Sequence, residues 1–598
     1  MRTIKTLMLS CCLAALTAPA FAQGYKFPGG TGTANDPYQI KTAEDLNHVR
    51  DFLSNSSVCF KMMNDIDLAE FLGEGSWAPI GNTPDNAFEG TFDGGNFTIK
   101  NMNCSGGASG LGLFGRIQTP GVVKNFKMDN ANVSGADWCG IVASTNGNWQ
   151  KRGGKIINVH VTNSYIEGNS CIGAIAGVND GSLENCSAIN TDVDGVADAV
   201  GGLIGTGASA NPYTRIYNCT YSGNVASSGG ASVGGIAGDM TIPSANDAPS
   251  CFQNNAVYGN VTGRAAVGGL IGYQGSDQSI LDNNFSCATI TGYQAGGLFG
   301  SPLGGLLTNS YCTGDVNSFD EDGKGGKEPW SGGIVAAAYK GIKGCYFSGT
   351  ITGKGRMGGI AGRNWGTLVV SNCYYNKDGA TQNMGEGNDE AGFDAKGLTL
   401  QQMMSLSTMK FTEADKWQVQ EGKTTPYFKN QTNPVTIDKI DLGGASGSYT
   451  GNVNAIYFAS LDYGGISDVQ VTFDNGKWSA VWPEETVVAD DYIRVFAIED
   501  GKMPSLPTTA KVANSNSIRN LNSAAGKVYV VVSEGQIKAT FASSDVASYT
   551  LNNVAGATLL SGNVAGSVSI NTSSFAKGLY LFTASQNGST NTYKVLVK

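Results

Sequence analysis

Residues 268–300 read GGLIGYQGSDQSILDNNFSCATITGYQAGGLFG. The stretch opens on the small-residue turn GGLIG and ends on a second turn of the same kind, GGLFG. Between them, Leu281 is followed two places on by Asn283. Both markers recur along the chain. The turns are GLGLFG at 110, CGIVAS at 139, IGAIAG at 172, GGLIG at 201, GGIAG at 234, GGLIG at 268, GGLFG at 296, GGIVA at 332 and GGIAG at 358. The asparagines are Asn125, Asn158, Asn185, Asn218, Asn254, Asn283, Asn309 and Asn372, with Gly344 in the place of one. Asn125 to Asn372 spans 247 residues in eight steps, and the turns from Gly112 to Gly359 span the same 247. Two independent markers therefore share a period of about 31 residues.

A unit of this length cannot bury its own apolar face, so neighbours must stack. Segments such as NCTYSGNVASSG and NNFSCATITG alternate small, apolar and β-branched residues between glycines, the pattern of short strands. Strands stacked unit on unit continue parallel sheets along an axis, and parallel crossovers favour the right-handed sense. The fold expected is all-β: a right-handed parallel β-helix of about nine coils over 101–375, capped at both ends and followed by two small β-sandwiches. The asparagines read as a structural ladder, since stacked amides donate and accept along the axis. The next position holds Cys186, Cys219, Cys345 and Cys373, small enough for an inward stack of reduced thiols, the alternative being a bridge between adjacent coils such as Cys345 to Cys373.

Composition supports this reading. Glycine is 84 of 598 residues, and charged residues are 15%, below the usual share of about 25%. The net charge of −10 argues against nucleic acid as a partner. At the N-terminus, MRTIK is followed by the apolar TLMLSCCLAALTAPA and by Ala20-Phe21-Ala22, a signal-peptide pattern cleaved between Ala22 and Gln23. The apolar run is too short to span a bilayer, and no transmembrane segment is expected in the mature chain. The expected location is therefore secreted or on the outer-membrane cell surface. Residues 23–100 form an N-terminal cap, in which Thr42 and Asp45 make a helix start and His48 lies off the apolar stripe. Residues 376–428 form the C-terminal cap, with a second start at Thr399 and Gln402. A linker over 429–436 leads to the first sandwich, 435–513, and the second occupies 520–598.

The sequence offers little for catalysis. It has two histidines, His48 and His160, and no HExxH. A glycosidase needs two carboxylates about 5–10 Å apart. Asp65 and Asp67 share strand spacing but sit in the capping segment DIDL, and Asp93 in FDGGN reads as a turn residue. Arg215, Arg264 and the pair Arg356 and Arg363 lie in three different coils without acid clusters beside them. No catalytic residue, cofactor or resident metal is assigned. The ligand-binding candidates are Trp149, Trp330 and Trp365, whose rings could stack on sugars, with Asp320 and Asp322 in the long coil insertion 315–333, where calcium is conceivable.

The opening GGTGTANDPYQI, the segments DIDL and WAPIG, FEGTFDGGNFTI, the GGLIG/GGIAG turns and the closing W417…PYF resemble the GLUG-repeat proteins of bacterial surfaces over roughly 27–428. That resemblance implies a β-helical stalk or binding rod, adhesin-like in some members. GLYLF at 578–582 and KVLVK at 594–598 resemble the C-terminal sorting domain of the type IX secretion pathway of Bacteroidetes, which implies a secretion translocon as partner. The function expected is an exported, surface-displayed, non-enzymatic β-helical protein that binds host glycoprotein or polysaccharide. The alternatives are a carbohydrate-active β-helix enzyme, lyase or glycosidase, and a pure structural spacer.

Overall fold

The computed structural model describes residues 25–597 apart from 148–151, 208–214, 241–250, 276–279, 302–303, 320–328, 367, 383, 387–392, 462–463, 467, 484–485, 514–527, 534–535, 542–545, 554–555 and 587–588. The signal-peptide cleavage site at Ala22 and Gln23 lies outside the described residues.

The repeats form a parallel β-solenoid of about nine turns. Each GG turn is the corner between two sheets. Ala266–Gly268 belongs to an eight-stranded sheet, one strand per coil, and Ile271–Tyr273 to a second sheet whose strands also step one coil at a time. The long third sheet carries the asparagines. The corner needs glycine because backbone meets backbone there: a Cβ on Gly268 would fall 2.0 Å from the Ile271 carbonyl oxygen, and one on Gly269 2.1 Å from that of Gly297. The apolar residue after the glycine pair points inward. Leu203, Ile236, Leu270, Leu298, Ile334 and Ile360, one per coil, are fully buried. Each such side chain contributes roughly 1.5–3 kcal/mol by leaving water.

The asparagine corner has an equally local cause. All eight asparagines adopt φ between 43° and 60°, and Gly344 has φ 63°. This is the left-handed region, where glycine is free and asparagine is the best tolerated of the side-chain-bearing residues. Their amides bond along the axis: Asn158 Nδ2 donates to Asn125 Oδ1 at 3.0 Å, Asn218 to Asn185 at 2.8 Å and Asn283 to Asn254 at 2.5 Å. The lower end is closed by Asp93, whose Oδ1 accepts from Asn125 Nδ2 at 3.1 Å. A second ladder, at Asn101, Asn130, Asn163 and Asn190, also has positive φ, and Asn130 donates to Asn101 at 2.7 Å and Asn190 to Asn163 at 2.6 Å. Cys186 stacks under Cys219, and Cys345 under Cys373, as buried free thiols.

The N-terminal cap carries the helix Ala43–Asn47, started by Thr42 Oγ1 accepting from Asp45 N while Asp45 accepts from Thr42 N. Thr399 and Gln402 make the same reciprocal pair at Leu400–Met403. Asp65 and Asp67 hold backbone: Asp65 Oδ1 accepts from Thr98 N and Asp67 Oδ1 from Ala69 N, both at 2.9 Å. His48 lies between Asp51 and Glu44, at 2.7 and 3.0 Å.

The C-terminal parts form antiparallel sheets. The first sandwich does not stand off from the rod. Along the strand Tyr492–Glu499, Ile493, Val495 and Ala497 fill its own core, while Arg494 and Phe496 point the other way. Phe496 stacks on Tyr258 of the rod, with centroids 3.9 Å apart and planes at 7°. Tyr258 donates to the Ser505 carbonyl at 2.7 Å, and the buried Arg494 donates to that of Gly259 at 3.3 Å. The segment 429–436, expected as a linker, is packed into this junction, where Gln431 Oε1 accepts from Tyr311 Oη at 2.8 Å. The reason is an outward aromatic ladder, Phe285, Tyr311, Tyr346 and Tyr374, buried beneath the C-terminal cap and the sandwich. In the last sandwich, Leu579 pairs with Leu596 and Leu581 with Lys594, so GLYLF and KVLVK are neighbouring strands.

Two substitutions test these forces. Asn218→Gly keeps the left-handed corner and Asn218→Ala strains it, so chemical denaturation should find the alanine variant about 1 kcal/mol the less stable of the two; equal losses would remove φ as the cause. Phe496→Ala deletes the stacked ring at the junction, at a cost of about 3–4 kcal/mol, and should let the sandwich swing out as an increased maximum dimension in X-ray scattering; an unchanged profile would contradict docking through this ring.

Candidate functional site

Four successive coils of the second sheet end at one place on the rod. Tyr273 closes Ile271–Tyr273, Tyr339 follows Val335–Ala338 and Trp365 follows Ala361–Asn364. Ala338 pairs with Asn364, which sets Tyr339 and Trp365 side by side on adjacent coils. Together with Gln274, Gly275, Gly304 and Lys340 they line a cavity of about 380 Å³. Its floor is fixed by Gln274, whose Oε1 accepts from Gly304 N at 2.9 Å and Gly305 N at 3.1 Å. Glycines at 275 and 304 leave the floor low, so the aromatic rings form the wall.

The rings are braced from behind. The Tyr339 and Trp365 centroids lie 5.6 Å apart, and Trp365 and Trp330 lie 5.7 Å apart with planes at 67°. The Arg363 guanidinium sits 5.1 Å from the Trp330 ring and 5.8 Å from that of Trp365, a cation held between two π faces. Tyr293 meets Trp330 from the other side at 6.3 Å. Tyr339 remains 42% exposed, and Lys340 is exposed beside it. An open aromatic wall above a polar floor suits a ligand with one apolar face and hydroxyls around its rim.

Of the residues expected from sequence, Trp365 belongs to this wall. Trp330 differs from expectation. It lies inside the strand Trp330–Gly332 at 6% exposure, because the eight-stranded sheet continues through the position, and it supports Trp365 instead of facing a ligand. Trp149, Asp320 and Asp322 lie outside the described residues. Tyr273 and Tyr339 were not singled out. The signal for Tyr339 is positional: it lies seven residues after the start of its GG turn, as Trp365 does, whereas Tyr273 ends its strand five residues after its own.

His160, in the strand Lys155–Gly168, is an interior member of the polar face. Its Nδ1 lies 2.8 Å from Ser187 Oγ and its Nε2 3.0 Å from Asn158 Oδ1. A carbonyl oxygen can only accept, so Nε2 carries the proton and Ser187 donates to Nδ1. Burial, then the Lys127 charge, pushes the imidazole down to about 4.

No family model matches the chain. Halomucin of Haloquadratum walsbyi is 33% identical over 174 residues, which are 27% of this chain and 2% of that protein. A putative Gly-rich membrane protein of Evansella cellulosilytica is 35% identical over 199 residues, 32% of this chain and 22% of the relative. The chain thus spans less than a quarter of the length of either curated relative. Among solved structures, SGBP-B of the Bacteroides ovatus mixed-linkage glucan utilization locus, in complex with a mixed-linkage heptasaccharide, aligns at 16% identity over 28% of this chain and 43% of its own, with a TM-score of 0.11.

The His160 geometry sets a pH dependence. The unfolded imidazole titrates near 6.5 and the native one near 4, so on acidification the unfolded chain takes up the proton first and the native state loses stability between those values. Denaturation midpoints of wild type and His160→Gln should converge from pH 7 to pH 4.5, the wild type falling faster; parallel slopes would contradict a neutral, half-buried imidazole.

Proposed function

We propose that this is an exported, surface-displayed, non-enzymatic β-helical rod that binds a polysaccharide or the glycan of a host glycoprotein. The observation that carries the reading is the open wall made by the exposed Tyr339 and the half-buried Trp365 above the Gln274 floor. It offers stacking for a pyranose face and polar groups for its rim, on a scaffold whose rigidity lowers the entropic cost of binding. The carboxylates in the N-terminal cap serve backbone and ladder, which leaves the aromatic wall as the chemically distinctive surface. The membrane-protein name of one relative supports placement at the cell envelope. The GLUG-like motifs fit the same reading, and the paired GLYLF and KVLVK strands fit a sorting role for 520–598 through a secretion translocon.

On a glycan array, the wild-type protein should bind at least one class of oligosaccharide, and Trp365→Ala with Tyr339→Ala should weaken that binding 10-fold or more, since stacking is worth about 0.5–1.5 kcal/mol per ring beyond the area buried and a tenfold loss is about 1.4 kcal/mol. Binding unaffected by the double substitution would overturn the assignment of this surface, and release of reducing ends from the bound polysaccharide would overturn the non-enzymatic reading. Deleting 520–598 should trap the protein inside the outer membrane; surface display of the truncated chain would refute the sorting role.

A further inference from the structure

The docking of the first sandwich against the rod creates a feature that neither module has alone. Between them runs a groove of about 710 Å³. One wall is the asparagine face of the rod, with Asn158, His160, Asn185, Ser187 and Asn218. The other is the outward face of the strands Val453–Ser460 and Tyr492–Glu499 and the turn after them, including Tyr457 and Lys502. The Tyr457 ring is held at 5.5 Å from Phe496, so the wall is tied to the junction.

The groove mixes polar and apolar lining, Phe126, Tyr457, Ile498 and Pro504 beside the asparagines, and carries no strong net charge. Lys127 and Lys502 are balanced by Glu499 and Asp500, Lys502 is paired with Glu499 at 2.9 Å, and His160 is neutral at physiological pH. Amides and hydroxyls dominate the rest of its polar lining. One of the gaps in the asparagine ladder falls at this place; among the described residues the steps from Asn254 to Asn218 and from Asn309 to Asn283 are not made either, Asn309 donating to Asp282 instead. Among the described residues, the amide bonds run from Asn158 to Asn125 and from Asn218 to Asn185, but the step between Asn185 and Asn158 is not made; Asn158 Oδ1 takes the His160 Nε2 proton instead. The Asn185 amide nitrogen is thus left without its ladder acceptor on the groove wall. Amides in register at the coil spacing of about 4.8 Å present a regular row of donors and acceptors.

We propose that this groove is a second binding site, for a neutral oligosaccharide chain, lying between the asparagine face and Tyr457 and separate from the Trp365 wall. A neutral polyhydroxylated chain matches a row of uncharged donors and acceptors with one aromatic side. A charged polymer would leave the amide row underused and meet a near-balanced field. The proposal shares with the preceding section the reading of the protein as a sugar binder, but it rests on different residues.

The two histidines make a direct test possible. With 13C-labelled histidine in the full chain, the ring signals of His160 and His48 are followed while cellohexaose, mannohexaose and xylohexaose are added in turn. The expected result is that at least one sugar shifts His160 and leaves His48 in place, in wild type and equally in Trp365→Ala/Tyr339→Ala. Asn185→Gly, which keeps the left-handed corner, combined with Tyr457→Ala should weaken that shift 10-fold or more while wall binding persists. If a hexasaccharide binds and His160 does not move, the groove proposal is overturned while the wall assignment stands. If His160 moves and the wall variant binds on the array as wild type does, the wall assignment fails and the groove stands. If none of the three shifts His160, the groove as a neutral-oligosaccharide site is overturned.

Discussion

The structure depends on the in-register stacking of coils, and the stacking depends on corners that few residues can turn. Each coil must reverse direction within a few residues while its backbone touches the coil above and the coil below. Glycine pairs make one corner because a Cβ would enter a neighbouring carbonyl, as at Gly268 and Gly269. Asparagine makes another because it accepts a left-handed backbone and returns an amide bond along the axis. Once these corners repeat every 31 residues or so, the inward positions align and the single column of Leu203, Ile236, Leu270 and their successors follows.

The same repetition builds the functional surfaces. A residue placed just beyond a strand end recurs one coil later, so an aromatic residue there becomes part of a wall, as Tyr339 and Trp365 do. An outward aromatic on the asparagine side, by contrast, becomes an apolar stripe that must be covered. Phe285, Tyr311 and Tyr346 stack with centroids about 5 Å apart, and the cap and the sandwich close over them. That covering fixes the sandwich against the rod and so defines the groove beside it. One period thus accounts for core, wall and domain docking.

The period and the capping boxes are legible in the sequence because each is marked within one coil or one turn, and the parallel stacking follows from the period, since a unit of this length must bury its apolar face against its neighbours. Asn125, Asn158 and the rest mark their conformation by residue type alone, and Gly344 confirms the rule by replacing the one asparagine that is absent. The second ladder at Asn101, Asn130, Asn163 and Asn190 has a similar spacing and the same residue type, so the sequence carries it in the same way. Trp330 was misplaced because a tryptophan after a long polar insertion looks like a loop residue, whereas the register of the sheet carries it inside. The docking of the sandwich was hidden for another reason. Arg494 and Phe496 alternate with Ile493, Val495 and Ala497 in one continuous run, and only the presence of a partner surface distinguishes a two-sided strand from a core strand.

Removal of one whole coil tests the stacking most directly. Deleting 158–184 joins Ile157 to Asn185 in the place that Glu184 now holds, since Ile157 and Glu184 are register partners. Circular dichroism of this variant should show a β-rich protein with a cooperative thermal transition, because every remaining corner and inward column is intact. Deleting only 158–171, half a coil, should abolish that transition. If the half-coil deletion folds as well as the whole-coil deletion, the coils are not held by in-register corners and the account of the rod is wrong.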